Sequence, residues 1–246
     1  EISACLVGSE MCIRDRMREP LKNWIARHGL SQITNCAKTI RHAFPILSTK
    51  RLLLRQLTYA DAADLLAYLS NKEVTKHYDL AQLHSLQDAE HLIHYWNNTY
   101  KQHSAIRWAI TLKSHNGKVI GTCGLHNFCL EHYRGEIGYD LHPHFWQQGY
   151  MTEALIAVQE YAFRKLKLHR LEAFTLSENI ASRALLLKTG LHYEGLLRDY
   201  FWNKGSYKNT EVFSILLADW KNDRKRKKIT DQAKKSTQHQ PCATQD

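Results

Sequence analysis

The sequence has no run of eighteen or more apolar residues, which leaves no candidate for a membrane-spanning helix. No secretory signal peptide is legible. None of the six cysteines belongs to a C-x-x-C pair, so neither a zinc ribbon nor a dithiol redox motif is expected. Cysteines scattered in this way suit a reducing cytosol, and a cytoplasmic protein is the expectation. The chain also lacks a Walker G-x-x-x-x-G-K-[ST] loop and a Rossmann G-x-G-x-x-G turn, which argues against the common nucleotide-binding folds. Internal repeats are absent. Histidine is plentiful, at 15 residues, and His91 and His94 share a helix face. They assemble no convergent ligand set with supporting partners, so no metal is expected.

What is present is enough chain, 246 residues, for one domain with a sizeable core and flanking segments. The opening is atypical. Leu6 to Asp15 back-translate to a string matching a transposase adapter used in preparing sequencing libraries, so residues 1–16 are expected to be an artefact, and the natural start is left open. Residues 17–48 form an N-terminal segment with apolar points at Leu21, Trp24, Ile25 and Ile33, a helical pattern that Gly29 interrupts. The formal net charge is +10, and half of it lies in residues 221–246, where eight basic residues face three acidic ones. That segment is otherwise polar, which predicts a disordered tail. A solvated appendage and an RNA-tethering arm are both open readings, and the first is favoured because no aromatics interleave the basic residues.

Between these flanks, residues 49–220 read as one α/β layer structure in the order β-α-α-β-β-β-α-β-α-β-β. "RLLLRQL" (Arg51–Leu57) has the apolar density of a strand, and Thr58 opens a helix carrying Ala62, Leu65, Leu66 and Leu69 at helical spacing. A second helix is predicted from Ser85 to Tyr100. "RWAITLKS" alternates as a strand and stops at Asn116-Gly117, a hairpin turn signal; "KVIGTCGLHNF" and "RGEIGYDLH" follow as strands. Glycines 121, 124 and 138 inside strands predict bulges or close backbone approach. "GYMTEALIAVQEYAFRKL" is the clearest helix, with a stripe of Met151, Leu155, Val158, Ala162 and Leu166. "RLEAFTL" is a short strand, "ENIASRALLLKTG" a helix capped by Gly190, and two last strands bracket "NKGS", the second ending near Trp220.

The junction "HPHFWQQGYMTEAL" places bulky aromatics and one glycine where a strand ends and a helix begins. A helix N-terminus offers unpaired N–H groups and partial positive charge, and anions bind there when side chains leave room. Gly149 has no Cβ, so Gln147, Gln148, Gly149, Tyr150 and Met151 can present successive N–H groups to a pyrophosphate. Together with "VIGTCGL", "EIGYDLHP", "HRLEAFTLSENIASRALLLKTGL", "EGLLRD" and "NKGSYKNTEVFSIL", this stretch resembles the GNAT acetyltransferase superfamily, and within it the RimJ/RimL-type ribosomal-protein N-acetyltransferases. Coverage runs from Thr49 to Trp220. Two positions depart from the wider pattern Gln/Arg-x-x-Gly-x-Gly/Ala: Trp146 stands at the Gln/Arg place and Met151 at the final small place.

The resemblance implies a single-domain, mixed, mostly antiparallel sheet that splays beside the phosphate-binding helix, with the pantetheine of acetyl-CoA in the gap. The backbones of Tyr139, Asp140 and Leu141 would then pair with pantetheine amides like a missing strand. Acetyl transfer needs a base for the amine proton, donors for the carbonyl oxygen and help for the departing thiolate. The resemblance puts Glu136 forward as the base, with Asp199 as a second carboxylate. The tyrosine acid of many relatives falls here on Leu186, so Ser182 becomes the candidate donor to the thiolate, and Asn179 is expected either to bind pantetheine or to start its helix. The implied acceptor is a protein N-terminal α-amine of the ribosomal-protein kind. A small amine such as a polyamine, amino acid or antibiotic, and a non-catalytic CoA-sensing or ribosome-binding module, are the alternatives. Acceptor choice is expected to lie in Lys72–Leu86 and Tyr200–Tyr207, which hold Tyr78, Trp202 and Lys204 but no acidic cluster suited to a polycation.

Overall fold

A strand buried on both faces lies in the middle of the fold. The computed structural model describes residues 43–78, 80–114 and 117–224. The expectations for residues 1–16, for the helix within 17–42, for Asn116 and for the tail from 225 onward lie outside the described residues. Strand β3 (Ile106–Leu112) is buried at every position, although its sequence alternates. The reason is a layer of helix on either side. Arg107 lies beneath Trp96 on one face, and Trp108 packs edge-on against Tyr161 on the other.

The helices follow from their caps and apolar stripes. A 3-10 turn (Tyr59–Asp61) leads into α1 (Ala62–Leu69), and the Asp61 carboxylate takes the Thr58 N–H at 2.7 Å while pairing with Arg55. A short α2 (Lys72–Thr75) follows. In α3 (Leu86–Lys101), Ser85 Oγ accepts from Asp88 N and the Asp88 carboxylate accepts from Ser85 N, a reciprocal capping box. Of its buried face, Ala89, Ile93 and Trp96 pack with Leu65, Tyr68 and Leu69 of α1, and Tyr100 lies against Phe44. On the opposite side of the sheet, α4 (Tyr150–Arg164) buries Met151, Ala154, Leu155, Val158 and Ala162. Helix α5 (Ile180–Lys188) ends before Gly190, whose φ of +90° is the left-handed conformation expected of a C-terminal cap.

One eight-stranded sheet has the order β1-β2-β3-β4-β5-β6-β8-β7. The remaining strands are β1 (Leu47–Ser48), β2 (Leu52–Arg55), β4 (Val119–Cys129), β5 (Arg134–Leu141), β6 (Arg170–Leu176), β7 (His192–Asn203) and β8 (Ser206–Leu216). β7 and β8 turn through Lys204 and Gly205, both at positive φ, as a tight two-residue hairpin demands. β1 precedes the predicted start of the domain, because a two-residue strand carries no readable pattern. At the other end, the last strand stops at Leu216 and residues 217–224 are helical (α6). Trp220 packs against Phe163 and Arg224 pairs with Glu160 of α4 at 2.9 Å, so the first residues assigned to a tail belong to the packed fold.

Every neighbouring pair of strands is antiparallel except β5 and β6. These run parallel and are paired only from Arg134 to Glu136 against Arg170 to Glu172. Beyond those rungs β5 continues to Leu141 against β4 alone, and β6 continues to Leu176 against β8 alone. The sheet therefore opens into a V with α4 starting near its mouth.

Candidate active site

The turn before α4 has the backbone that its glycine predicts, for a reason that differs in part. Gly149 sits at φ +75°, and a Cβ there would meet only Arg51 Nη2, at 3.6 Å. Left-handed geometry, rather than crowding, is what excludes other side chains. Among the described residues, the N–H groups of Gln147 to Thr152 donate to no protein acceptor, and the first bond of the helix is Glu153 N to Gly149 O at 3.1 Å. A run of bare amides at a helix start is an anion-binding arrangement. Met151 contributes only its backbone, since its side chain is in the core. Arg51 secures the turn. Its guanidinium donates to Gln148 O at 3.0 Å, pairs with Glu153 at 2.6 Å and lies 4.2 Å over the Tyr150 ring. Glu153 also accepts from Thr49 Oγ1 and Arg51 N.

Strand alternation decides which backbone groups face the V. His142 N donates to Ile120 O at 2.8 Å, and Tyr133 O accepts from His169 N at 2.7 Å. Even-numbered residues of β5 therefore bond to β4, and odd-numbered ones face β6. Ile137, Tyr139 and Leu141 direct their N–H and C=O groups into the gap, and Trp146 Nε1 already donates to Leu141 O at 2.8 Å. Asp140 does not belong with them. Its backbone pairs with β4, and its carboxylate is buried, salt-bridged to Arg107 and accepting from Tyr68 Oη and Thr122 Oγ1 at 2.6 Å each. Such a buried pair is costly to break and holds β3, β4 and β5 in register.

Glu136 occupies the last paired rung before the sheet opens. Its carboxylate accepts from Asn127 Nδ2 at 3.1 Å and lies 3.5 Å from His126 Nε2. Burial raises its pKa above the usual carboxylate value, opposed by the Asn127 hydrogen bond and Arg134 and reinforced by the charge of Glu172 on the facing strand. Glu172 is itself held by Arg134 and Arg170 at 2.7 Å each. The buried edge of the His126 ring and the Arg107 guanidinium hold that imidazole below its ordinary pKa, hence neutral at pH 7. Glu136 is thus a carboxyl beside a neutral imidazole, with its affinity for a proton raised above that of an ordinary carboxylate.

The other candidates separate. Ser182 lies in the first turn of α5, and its Oγ is 2.7 Å from Tyr139 Oη. Asn179 caps the same helix through Oδ1, which accepts from Ser182 N at 3.1 Å, so its helix-starting role is the one observed. Asp199 is exposed on β7, at a bulge with φ +48°, and β6 and β8 stand between that strand and β5. It is not brought to Glu136. Sequence reasoning missed His126, Asn127, Glu172 and the Tyr139 phenol. His126 could have been found from the register of the 118–128 and 134–142 strands, which sets it directly opposite Glu136. Glu172 needed the crossover pairing that only the fold supplies.

A family profile described as acetyltransferase (GNAT) domain matches residues 51–192. The uncharacterized N-acetyltransferase YoaA of Bacillus subtilis (strain 168) is 40% identical over 173 residues, covering 70% of this chain and 97% of its own length. The uncharacterized N-acetyltransferase p20 of Bacillus licheniformis is 37% identical over 174 residues, covering 71% of this chain and 97% of its own. Among solved structures, RimL, described as a ribosomal L7/L12 alpha-N-protein acetyltransferase in complex with coenzyme A, shares the fold with a TM-score of 0.64 at 19% identity, over 70% of this chain and 98% of that one.

Proposed function

The chain belongs to the GNAT acetyltransferase family and is an N-acetyltransferase, and on that premise we propose that it carries the acetyl group of acetyl-CoA to the α-amino group of a protein N-terminus, a ribosomal protein being the first class to test. The observation that carries this reading is the V between β5 and β6, which opens at Glu136 and leads to the bare amides of Gln147 to Thr152. The pyrophosphate fits those amides. The pantetheine fits the edge of Ile137, Tyr139 and Leu141, adding to the sheet as an extra strand would. No described helix is long and apolar enough to cross a membrane.

The chemistry follows from position. The neutral amine attacks the thioester carbon, a C–N bond forms and the C–S bond breaks. The amine's proton passes to the Glu136 carboxylate, which burial makes a stronger base than an ordinary carboxylate. N–H groups facing the gap stabilise the carbonyl oxygen as charge develops on it. Holding both reactants at one rung of the sheet supplies much of the rate, on the order of 7–11 kcal/mol in favourable cases.

A polypeptide acceptor is supported by the exposed face of the β7–β8 hairpin. Lys204 donates to Thr75 O, and Asn203 Nδ2 donates to Tyr78 O at 3.3 Å, which pins the β7–β8 hairpin to the end of α2 and the segment that follows it. The hairpin exposes Tyr200, Trp202 and Tyr207, a broad aromatic surface suited to an extended chain rather than a small closed pocket. The test is thiol release from acetyl-CoA with peptides bearing free or acetyl-blocked N-termini, beside polyamines, amino acids and aminoglycosides. Turnover on free peptides, abolished by blocking, is expected. Turnover confined to small amines would overturn the acceptor, and CoA binding without turnover on any amine would mark a non-catalytic CoA-binding module.

A further inference from the structure

The position where the family resemblance places an acid tyrosine is Leu186, which is apolar and 1% exposed, part of the core. A different tyrosine reaches the same region from the opposite wall of the V. Tyr139 directs its backbone into the gap, and its side chain crosses to α5, where Oη lies 2.7 Å from Ser182 Oγ. The bond links β5 to the helix that follows β6, across the gap between those two strands. We propose that Tyr139 and Ser182 form a two-link hydrogen-bond donor chain directed at the departing sulfur, with Tyr139 as the positioning residue that commits the Ser182 hydroxyl to the gap. This rests on the acetyl-transfer reading given above.

The direction of the bond follows from chemistry. A phenol is far more acidic than an aliphatic hydroxyl, so it is the better donor and the poorer acceptor of the two. With Tyr139 donating to Ser182 Oγ, the serine's own hydrogen is left free for the gap. The Ser182 N–H is fixed separately by Asn179, so the residue is held at both ends. Burial pushes the Tyr139 phenol up to about 12, and its partner Ser182 offsets only part of that. A thiol titrates near ~8.5. The leaving thiolate is therefore too weak a base to take the proton through the chain, and Tyr139 stays protonated throughout. When the C–S bond breaks, both electrons go to sulfur and the negative charge is met by Ser182 O–H, itself polarised by Tyr139 O–H. The proton that finally neutralises the thiolate comes from solvent as the product leaves.

The test compares wild type, Tyr139→Phe, Ser182→Ala, Ser182→Thr and the Tyr139→Phe/Ser182→Ala double variant in thiol release, with CoA affinity and thermal melting measured alongside. Tyr139→Phe keeps the ring and loses the hydroxyl. It is expected to lower kcat about tenfold with KM for acetyl-CoA within twofold. Ser182→Ala is expected to lose at least as much, Ser182→Thr to stay within about threefold of wild type, and the double variant to be no worse than Ser182→Ala, because the links act in series. Wild-type turnover with kcat unchanged in Tyr139→Phe overturns the inference, as does a double variant that multiplies the two single losses. Should Tyr139→Phe melt before assay, an unchanged kcat in Ser182→Ala overturns it instead. A wild type that binds CoA yet releases no thiol overturns the functional reading and this inference with it.

Discussion

Glu136 is only partly buried, yet that burial, the Asn127 amide and two charged neighbours, Glu172 and Arg134, decide its behaviour. Glu136→Gln is expected to lower kcat by about a hundredfold while leaving CoA affinity within twofold, measured by thiol release and calorimetry. Because the base works only when ionised, and burial with Glu172 raises its pKa, the acidic limb of kcat/KM against pH is expected above the ordinary value of 4.5. The same shift has a sign for stability. A carboxyl whose folded pKa lies above its unfolded one adds stability that is full below the unfolded value and lost as pH rises through the folded one. Glu136→Gln should therefore melt higher than wild type at pH 7, and the difference should close below about pH 4.5. Asp140 teaches the converse lesson at this scale. Its place in "EIGYDLHP" was legible, but which of its groups faced the gap depended on strand alternation, and a buried Arg107 on another strand claims its carboxylate.

The start of α4 is the element on which the phosphate argument turns. Gly149→Ala forces a Cβ into left-handed geometry, at a cost of roughly 1–2 kcal/mol or a displaced turn. CoA affinity is expected to fall about tenfold while dephospho-independent contacts, read with pantetheine alone, stay unchanged. Glu153→Ala removes the acceptor of Thr49 and both Arg51 bonds, and a loss of about 2 kcal/mol is expected in denaturant titration. Burial opposes ionisation of Glu153, but the Thr49 and Arg51 hydrogen bonds outweigh it and lower its pKa. Its contribution is present above the unfolded pKa and lost as pH falls through the folded one, so wild type and variant should converge in acid. The long periodic elements were readable because one stripe or one alternation defines each. "RLEAFTL" matches β6 residue for residue, and α3 begins one residue after its predicted start. The two-residue β1 and the helical 217–224 were not readable, since pairing with β2 and packing of Trp220 on α4 create them.

At the scale of the molecule, the C-terminal boundary can be set by function. A chain ending at Trp220 loses Arg224, which bridges to Glu160 and lies 5.0 Å from the Trp220 ring. A chain ending at Arg224 keeps both. The longer truncation product is expected to melt within about 1 °C of full length and to bind CoA equally, and the shorter one to melt several degrees lower. A drop in CoA affinity on removing only residues 225–246 would show that the basic end reaches the ligand. The parallel contact between β5 and β6 carries a further consequence. Three rungs are the whole of the backbone pairing that joins five strands to three. Apart from the two-residue edge strand β1, every other seam in the sheet is a longer antiparallel ladder, so the interior of the sheet should breathe at this seam first, and the amides of Ile137, Tyr139 and Leu141 should exchange with deuterium before those of Gly138 and Asp140, which bond to β4. A substrate lying along that seam acts as a suture. Its binding energy then stiffens the whole molecule rather than one pocket, and the enzyme is at its most rigid only while it is loaded.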